Sequence, residues 1–401
     1  MSAHNRHWSR RDFLKAAGIA GAGSIIAPFY RSANASEGIS EMPARPFGNS
    51  GINVPILSLG GSLDTSLSML VLRQAFKWGV TYWDTANTYM GGRSERGFGK
   101  YFQKYPQDRQ KIFLVTKTHA WTLKEMSHDL DLSLERMKTD YIDLYFKHSL
   151  RRIDQLDDDL KSWAEKKKAE GKIRLFGFST HSNMETCMLG ASKLGWIDGI
   201  MMTYNFRLMH TDDMRSAVDA CAKAGIGMTA MKTQGGGQVR TNSETELKLA
   251  GRFVEKGYTD AQAKLRAVWA NPHIASICSE MPNMTILMSN VAAARDKTRL
   301  STLDNALLRQ YAADTQSTYC GGCADICESA VAGNIPIGDV MRHLMYARSY
   351  DNYYRACNRF RKIPADIRTR MAKTDYSTAE QRCPRKIAIG KLMQNAVKEL
   401  S

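Results

Sequence analysis

The sequence predicts an α/β protein in which a (β/α)8 TIM barrel is followed by a mostly helical appendage at the C-terminus. Eight short apolar runs alternate with amphipathic stretches between about residues 45 and 280, as expected for a barrel with parallel strands. The chain has 401 residues, whereas a barrel needs about 250, so a smaller second unit is expected. We therefore predict a barrel over residues 43–300 and a helical region over residues 301–401.

The first 35 residues carry the features of an export signal. The pair Arg10-Arg11 precedes an Ala- and Gly-rich apolar stretch over residues 16–29, and residues 33–35 have the small-x-small form of a cleavage site. The segment resembles a twin-arginine (Tat) signal peptide, which implies export of a folded protein by the Tat translocase and a periplasmic location. A Sec signal or an uncleaved membrane anchor is the alternative. Because the Tat route carries folded proteins, it favours a cofactor that is inserted before export.

The basic charge does not by itself identify a partner. The formal net charge is +16. Residues 1–35 contain five basic residues and one acidic residue, Asp12, and so contribute +4. A chain without residues 1–35 would carry +12. A basic surface attracts anionic substrates, phosphates or lipid headgroups, but a solvated surface is the simpler interpretation. The mixed-charge run over residues 165–170 is typical of an exposed helix face. We identify no DNA- or RNA-binding motif and expect no nucleic-acid partner.

Polar side chains stand at the ends of three neighbouring predicted strands. Asp84 and Tyr89 follow the second strand, Lys117 ends the third, and His148 lies at the end of the fourth. Because the carboxyl ends of barrel strands face the active site, we expect these four side chains to converge on one pocket. The eight predicted strands cover residues 56–60, 80–85, 112–117, 142–149, 173–179, 200–205, 227–232 and 275–279.

These four residue types suit the protonation of a carbonyl oxygen. A tyrosine phenol is a poor acid at its reference pKa of about 10. A neighbouring lysine cation lowers that pKa, an aspartate holds the lysine charged, and a histidine positions the carbonyl group. Tyr89 is therefore the predicted proton donor to the oxygen, while a hydride arrives at the carbon.

The same residues resemble a known family. The order Asp84-Thr-Ala-x-x-Tyr89, Lys117 and His148 is similar to the catalytic tetrad of the aldo/keto reductases. Residues 171–179 resemble the fifth-strand signature of that family, and residues 45–51 resemble its N-terminal hairpin. The resemblance implies an oxidoreductase that acts on a small-molecule carbonyl or alcohol substrate, with NADP(H) as the hydride carrier.

The positions that hold the nicotinamide nucleotide in this family are partly changed. Thr180 and Met201 stand in place of the usual Asn and Gln, and Met231 stands where an aromatic residue stacks on the nicotinamide. These changes motivate an alternative, which is a redox-accessory or non-catalytic periplasmic protein without nicotinamide use. The nucleotide site that the resemblance implies consists of Ser179, Thr180, Met201, Met231, Lys232, Gly235 and Asn290.

Four of the eight cysteines have an ordered spacing. Cys320, Cys323 and Cys327 form a C-x2-C-x3-C run, and Cys383 lies far along the chain, immediately before Pro384. Three close thiolates with a remote Cys-Pro are a ferredoxin-like arrangement. The region resembles the C-terminal, ferredoxin-like part of iron–sulfur aldo/keto reductases. This resemblance implies one [4Fe–4S] cluster held by the four cysteines, because the second motif of two-cluster ferredoxins is absent from the sequence.

Three other interpretations of these cysteines stay open. Zinc also takes four thiolates, disulfides form in an oxidising compartment, and Cys357 is an alternative to Cys383 as the fourth ligand. The spacing favours iron–sulfur over zinc, and folding before Tat export argues against a need for disulfides. The cluster would either fasten the helical region over the barrel mouth, which we favour, or exchange electrons with an external transfer partner.

Overall fold

The computed structural model describes residues 41–236 and 244–401, so the predicted export signal at residues 1–35 lies outside the described residues. Residues 42–401 form one compact unit. It opens with an antiparallel hairpin of two short strands, β1 (Ala44–Pro46) and β2 (Asn53–Pro55). Within the described ranges, no helix is both long enough and apolar enough to cross a membrane.

Eight parallel strands close into the barrel that the sequence predicts. They follow one another around the barrel in chain order, and the last strand pairs with the first. Each strand begins and ends within two residues of its predicted bounds. The strands are β3 (Leu57–Gly60), β4 (Tyr82–Asp84), β5 (Phe113–Thr118), β6 (Ile142–Lys147), β7 (Ile173–Thr180), β8 (Gly199–Thr203), β9 (Gly227–Met231) and β10 (Ile274–Glu280).

Helices cover the outside of the barrel, and side-chain caps fix where several of them begin. Thr122 and Glu125 form a capping box at the start of α3, and Thr259 and Gln262 form another at the start of α8. The helices of this layer are α1 (Met69–Lys77), α2 (Arg93–Lys104), α3 (Leu123–Met137), α4 (Asp158–Ala169), α5 (Met184–Ala191), α6 (Asp212–Lys223), α7 (Glu244–Glu255), α8 (Asp260–Trp269) and α9 (Met284–Arg295).

The N-terminal hairpin closes the lower end of the barrel. Phe47, in its turn, is fully buried and packs with Val54 in the cluster of apolar side chains that fills the barrel interior. The Phe47 ring fits because glycines face it from two strands: a Cβ on Gly227 would lie 2.4 Å from the ring, and one on Gly199 would lie 2.8 Å from it. Packing at the lower end leaves the opposite end, formed by the strand carboxyl termini, for function.

The chain beyond the barrel forms a helical region with an apolar core of its own. The buried side chains of this core include Val340, Phe360, Met371 and Met393. The helix that opens the predicted region packs elsewhere, because its Tyr311 belongs to a cluster beside the barrel. The helices are α10 (Thr302–Asp314), α11 (Ala324–Glu328), α12 (Ile337–Ser349), α13 (Tyr353–Phe360), α14 (Ala365–Met371), α15 (Ser377–Arg382) and α16 (Ile389–Leu400).

Polar contacts attach this helical region to the carboxyl ends of the barrel strands. Arg151, which follows β6, forms ion pairs with Glu328 at 2.5 Å and with Asp339 at 3.1 Å. Asn205, which follows β8, donates a hydrogen bond of 3.0 Å to the hydroxyl of Tyr319. The helical region is therefore held at the end of the barrel where the predicted reactive side chains lie.

Replacing Gly227 with alanine should lower the free energy of unfolding by about 1–3 kcal/mol, because the new methyl group collides with the Phe47 ring. The midpoint of thermal unfolding is the measurement. Gly251→Ala is the matched control, since a Cβ there meets no atom within 4 Å and a helical glycine costs about 0.5–1 kcal/mol relative to alanine. Equal unfolding midpoints for Gly227→Ala and the wild type would contradict the packing described for Phe47.

Candidate functional site

The four residues predicted to transfer a proton lie together at the carboxyl ends of β4, β5 and β6. The Nζ atom of Lys117 donates hydrogen bonds to Asp84 Oδ1 at 2.5 Å and to the Thr85 carbonyl at 2.7 Å, and both charged side chains are almost fully buried. Lys117 Nζ lies 5.2 Å from the centre of the Tyr89 ring. The rings of Tyr89 and His148 meet edge to face with their centres 5.7 Å apart.

A tight turn after β4 directs Tyr89 toward the lysine. Asn87 donates a backbone hydrogen bond of 3.0 Å to the Lys117 carbonyl, which ties the segment after β4 to the end of β5. A 3-10 turn (Tyr89–Gly92) follows, in which Met90, Gly91 and Gly92 all have positive φ. Glycine adopts this backbone region without steric cost. The two glycines therefore let the chain reverse directly after Tyr89.

Burial and neighbouring charges have opposite effects on the pKa values of Tyr89 and Lys117. Burial raises the pKa of Tyr89 above its ordinary value, and the opposing effect of Lys117 does not cancel it. Burial alone would lower the pKa of Lys117, but Asp84 and Tyr89 raise it above its ordinary value. The lowering that the sequence predicts from the lysine is thus present, but it is smaller than the effect of burial. Tyr89 remains a protonated phenol at neutral pH, as a proton donor must, beside a charged lysine.

A second histidine, which the sequence analysis did not identify, stacks on the predicted one. The rings of His119 and His148 are nearly parallel with centres 4.0 Å apart. Burial, with nearby cations, lowers the pKa of His119 to about 4 and holds the pKa of His148 well below its ordinary value. Within residues 41–236 and 244–401, His148 Nδ1 is buried without a hydrogen-bond partner. A neutral imidazole of this kind can donate a hydrogen bond to a carbonyl oxygen.

Two of the seven predicted nucleotide positions line a cavity of about 920 Å³ at the carboxyl ends of β7, β8 and β9. Lys232 and Gly235 follow β9 and form part of one wall, together with Arg207, and Arg342 of α12 lines the other side. Cavities of several hundred Å³ commonly bind small molecules or cofactors, and arginine and lysine side chains pair well with phosphate groups. The cavity therefore fits the phosphate side of a nicotinamide nucleotide.

The other predicted nucleotide positions do not line this cavity. The Thr180 hydroxyl lies within hydrogen-bond distance of two backbone carbonyls, and Ser179 Oγ accepts the Ser149 N–H at 3.1 Å. Met201 is buried in the barrel interior, with Met231 packed against the same cluster. Asn290 of α9 donates a hydrogen bond of 3.0 Å to Ser279. Thr180 thus does not offer the polar group that the usual Asn of the family presents to the nicotinamide nucleotide.

The four predicted cluster ligands lie around one small cavity in the helical region. Cys320, Cys323, Cys327 and Cys383 all line a space of about 20 Å³, although the sequence separates the last from the other three. Cys357, the alternative fourth ligand, is buried in the apolar core of the helical region and does not line this cavity. Each of the eight cysteines is a free thiol. The geometry therefore favours Cys383 over Cys357.

The arrangement of these thiols differs from that of a one-ion site. Among the described residues, no three Cys, His, Asp or Glu side chains are arranged as they would be around a bound metal ion. A zinc ion needs four ligands at about 2.3 Å, whereas a [4Fe–4S] cluster places irons and sulfides between its four thiolates. Burial raises the pKa of Cys323 to about 11, so a bound metal would have to displace its proton. Four thiols around one space are the donor set that a [4Fe–4S] cluster requires.

The structure adds a group of cations, of which the sequence analysis named Lys232 alone. Tyr346 of α12 is buried beside Lys232, whose Nζ lies 4.7 Å from the ring centre, and beside Arg355, whose guanidinium carbon lies 4.6 Å away. Arg359, one turn further along α13, lies 6.0 Å from the same ring. Arg355 also pairs with Glu280, at the end of β10, at 2.9 Å. No sequence motif marks Arg355 or Arg359. The contact of Arg355 with Glu280 forms only when the helical region covers the barrel.

Comparison with known proteins agrees with the barrel. The sequence profile of the aldo/keto reductase family matches residues 57–298. L-galactose dehydrogenase of Arabidopsis thaliana is 23% identical over 287 residues, which are 64% of this chain and 90% of that protein. L-glyceraldehyde 3-phosphate reductase of Escherichia coli is 26% identical over 216 residues, 48% of this chain and 62% of that protein. The aldo-keto reductase AKR11C1 from Bacillus halodurans has the same fold, with a TM-score of 0.57, 23% identity, and coverage of 67% of this chain and 96% of that one.

The protein is an oxidoreductase built on a TIM barrel. The chain belongs to the aldo/keto reductase family, since the family profile covers more than half of its length. The matched region ends at residue 298, so the cysteine-bearing helices lie outside that profile.

One tyrosine should ionise near neutral pH. Burial alone would raise the pKa of Tyr346, but four surrounding cations lower it to about 7: Lys232, Arg355, Arg342 and Arg359. The phenolate should therefore form as the pH rises through about 7, which ultraviolet difference absorbance measures. The signal should vanish in Tyr346→Phe and persist in Tyr354→Phe, whose side chain is exposed. Tyrosine ionisation confined to the ordinary range near pH 10 would contradict the assignment.

Proposed function

We propose that this protein is an exported oxidoreductase that interconverts a carbonyl group and an alcohol, with Tyr89 as the proton donor and acceptor. One observation carries the proposal: a charged, buried Lys117–Asp84 pair lies beneath Tyr89, and the neutral ring of His148 lies beside it. These side chains come from three consecutive strand ends, and together they supply a protonated phenol, a cation to stabilise the phenolate, and a hydrogen-bond donor.

In the direction of reduction, each side chain has one task. The Tyr89 hydroxyl donates its proton to the carbonyl oxygen, and Lys117 stabilises the phenolate that remains. Asp84 keeps the buried Lys117 charged, and His148 donates a hydrogen bond that orients the carbonyl group. NADP(H), bound with its phosphates near Lys232 and the other cations of the large cavity, would supply the hydride. In the direction of oxidation, Tyr89 takes the proton of the alcohol.

We also propose that Cys320, Cys323, Cys327 and Cys383 hold one [4Fe–4S] cluster, and that residues 1–35 are a Tat signal that takes the loaded protein to the periplasm. The shared cavity of the four thiols supports the cluster. The Arg10-Arg11 pair and the apolar stretch that follows support export. A protein that receives a metal cluster in the cytoplasm must be exported folded, so the two proposals support each other.

A second candidate function is that of a redox-accessory protein in which electrons reach the barrel through the cluster and no nicotinamide binds. Two observations favour it: the Thr180 hydroxyl is engaged by the backbone, and Cys320 lines both the cluster cavity and the large cavity. Anaerobic purification from a Tat-competent host, with iron, sulfide and bound nucleotide measured per chain, separates the two candidates. Iron with nucleotide supports the reductase, whereas iron without nucleotide binding, even under titration with NADPH, supports the accessory protein.

Replacing Tyr89 with phenylalanine should lower kcat by about 100- to 10,000-fold, because the proton donor is lost. The thermal midpoint should change little, since within the described residues the Tyr89 hydroxyl has no hydrogen-bond partner. Reduction of 4-nitrobenzaldehyde with NADPH is a suitable assay, with Tyr354→Phe as the control at an exposed position. Near-normal turnover in Tyr89→Phe would remove the assigned proton donor.

Replacing Cys383 with serine should lower iron and sulfide per chain, because the cluster loses one of four thiolates. The matched control is Cys357→Ser, which removes a buried thiol outside the cavity and should leave the iron content as in the wild type. Iron and sulfide analysis of the anaerobically purified proteins is the measurement. The reverse pattern, with iron lost only in Cys357→Ser, would move the fourth ligand to Cys357.

A further inference from the structure

The helix α13 presents two arginines to the mouth of the barrel. Arg355 and Arg359 are four residues apart, so they lie on the same face of the helix. Both approach the Tyr346 ring from this face, at 4.6 Å and 6.0 Å from its centre. Both are also close enough to Tyr89 to interact with it electrostatically. The ion pair of Arg355 with Glu280, at the end of β10, places this face of the helix at the carboxyl ends of the barrel strands.

The charges around these arginines do not balance. Asp84 neutralises Lys117, and Glu280 neutralises Arg355. In contrast, Arg359 and Lys232 form no ion pair with a carboxylate within the described ranges, although both side chains are partly buried, and the acidic group that they approach is the Tyr346 phenol. A partly buried cation without a counterion is unfavourable unless a ligand supplies the charge. The low pKa of the Tyr346 phenol is a second sign of excess positive charge at this place.

The two arginines lie outside the lining of the large cavity. Neither Arg355 nor Arg359 lines that cavity, whose barrel wall follows β7, β8 and β9. Arg359 interacts electrostatically with His119 and His148, which follow β5 and β6, and also with His181, which lines the cavity. An anion held by Arg359 would therefore lie near His148, where the reacting carbonyl group is expected, and next to the large cavity rather than inside it.

We propose that Arg355 and Arg359 form a recognition site for an anionic group of the substrate, so that the enzyme acts on carbonyl compounds or alcohols that carry a carboxylate or a phosphate. The inference rests on the proposed function and specifies its substrate class. A guanidinium group binds either anion through two parallel hydrogen bonds. It would fix the anion at one end of the substrate while the carbonyl group lies between Tyr89 and His148.

The test compares two aldehydes of similar shape, 4-carboxybenzaldehyde and its neutral methyl ester, methyl 4-formylbenzoate, with NADPH and the cluster-loaded full chain. The wild type should have the higher kcat/KM for the carboxylate. In Arg359→Gln, the ratio of the two kcat/KM values should fall about ten- to hundredfold, mainly through KM, because a hydrogen bond to a charged group is worth about 1.5–3 kcal/mol. Arg359→Lys should recover part of the ratio, since it restores the charge without the paired donors.

Arg361→Gln is the matched control, because it removes an equal charge two residues away from an exposed side chain that bonds the Ser401 carbonyl. The ratio should be unchanged in this variant. Equal losses for both aldehydes in Arg359→Gln, or a weakened NADPH affinity measured by fluorescence titration, would overturn the proposal and assign the arginine to structure or to the nucleotide. A wild type that does not prefer the carboxylate would also overturn it.

A direct binding measurement keeps the inference separate from the proposed function. If neither aldehyde is reduced, calorimetric titration with benzoate and with inorganic phosphate still tests the site. Binding by the wild type that is lost in Arg359→Gln and kept in Arg361→Gln supports the anion site, even if the reductase proposal has failed. Absence of binding to the wild type, or equal binding by Arg359→Gln, overturns the site.

Discussion

The ion pair between Lys117 and Asp84 is the contact on which the arrangement of the site depends. Removing a charge from water costs several kcal/mol, and the pair offsets this only because its geometry is close and the lysine finds a further acceptor in the Thr85 carbonyl. The loss of either partner would leave a buried charge without compensation. The pair therefore requires β4 and β5 to keep their parallel register, and the same strand ends place Tyr89 and His148 around the lysine.

The helical region modifies the electrostatics that this pair establishes. Asp84 largely neutralises Lys117, and the helical region brings a further cation into the surroundings of Tyr89. Arg355 of α13 acts on the Tyr89 phenol in the same direction as Lys117, and both oppose the effect of burial on its pKa. A phenolate formed at Tyr89 would thus be stabilised mainly by the barrel lysine and to a smaller extent by an arginine of the helical region. The C-terminal helices therefore contribute to the electrostatics of the site.

Local patterns in the sequence predict the barrel well, but they do not predict how the helical region packs on it. Alternation of apolar runs with helical stretches gives each strand within two residues, because strand period and βα order are local properties. The four tetrad residues follow from the rule that strand carboxyl ends converge. Thr180 illustrates a limit, since its hydroxyl bonds the Leu150 and Ser182 carbonyls, which no local pattern in the sequence predicts. The contact of Arg355 with Glu280 has no local signature, because it depends on how the helical region docks on the barrel.

The position of the four cysteines bears on why a cluster would be present at all. Cys320 follows Tyr319, whose hydroxyl is bound by Asn205 next to β8, and Cys383 precedes by two residues Arg385, which donates to the Arg207 carbonyl. A cluster bound to both cysteines would close the intervening chain into a loop whose two ends are attached to the same side of the barrel. Helices α12 and α13 lie within that loop, so closing it reduces the freedom of the segment that carries Tyr346, Arg355 and Arg359. Closing this loop would therefore also help to hold the two arginines in position at the barrel. This favours a cluster that holds the helical region in place over one that only transfers electrons.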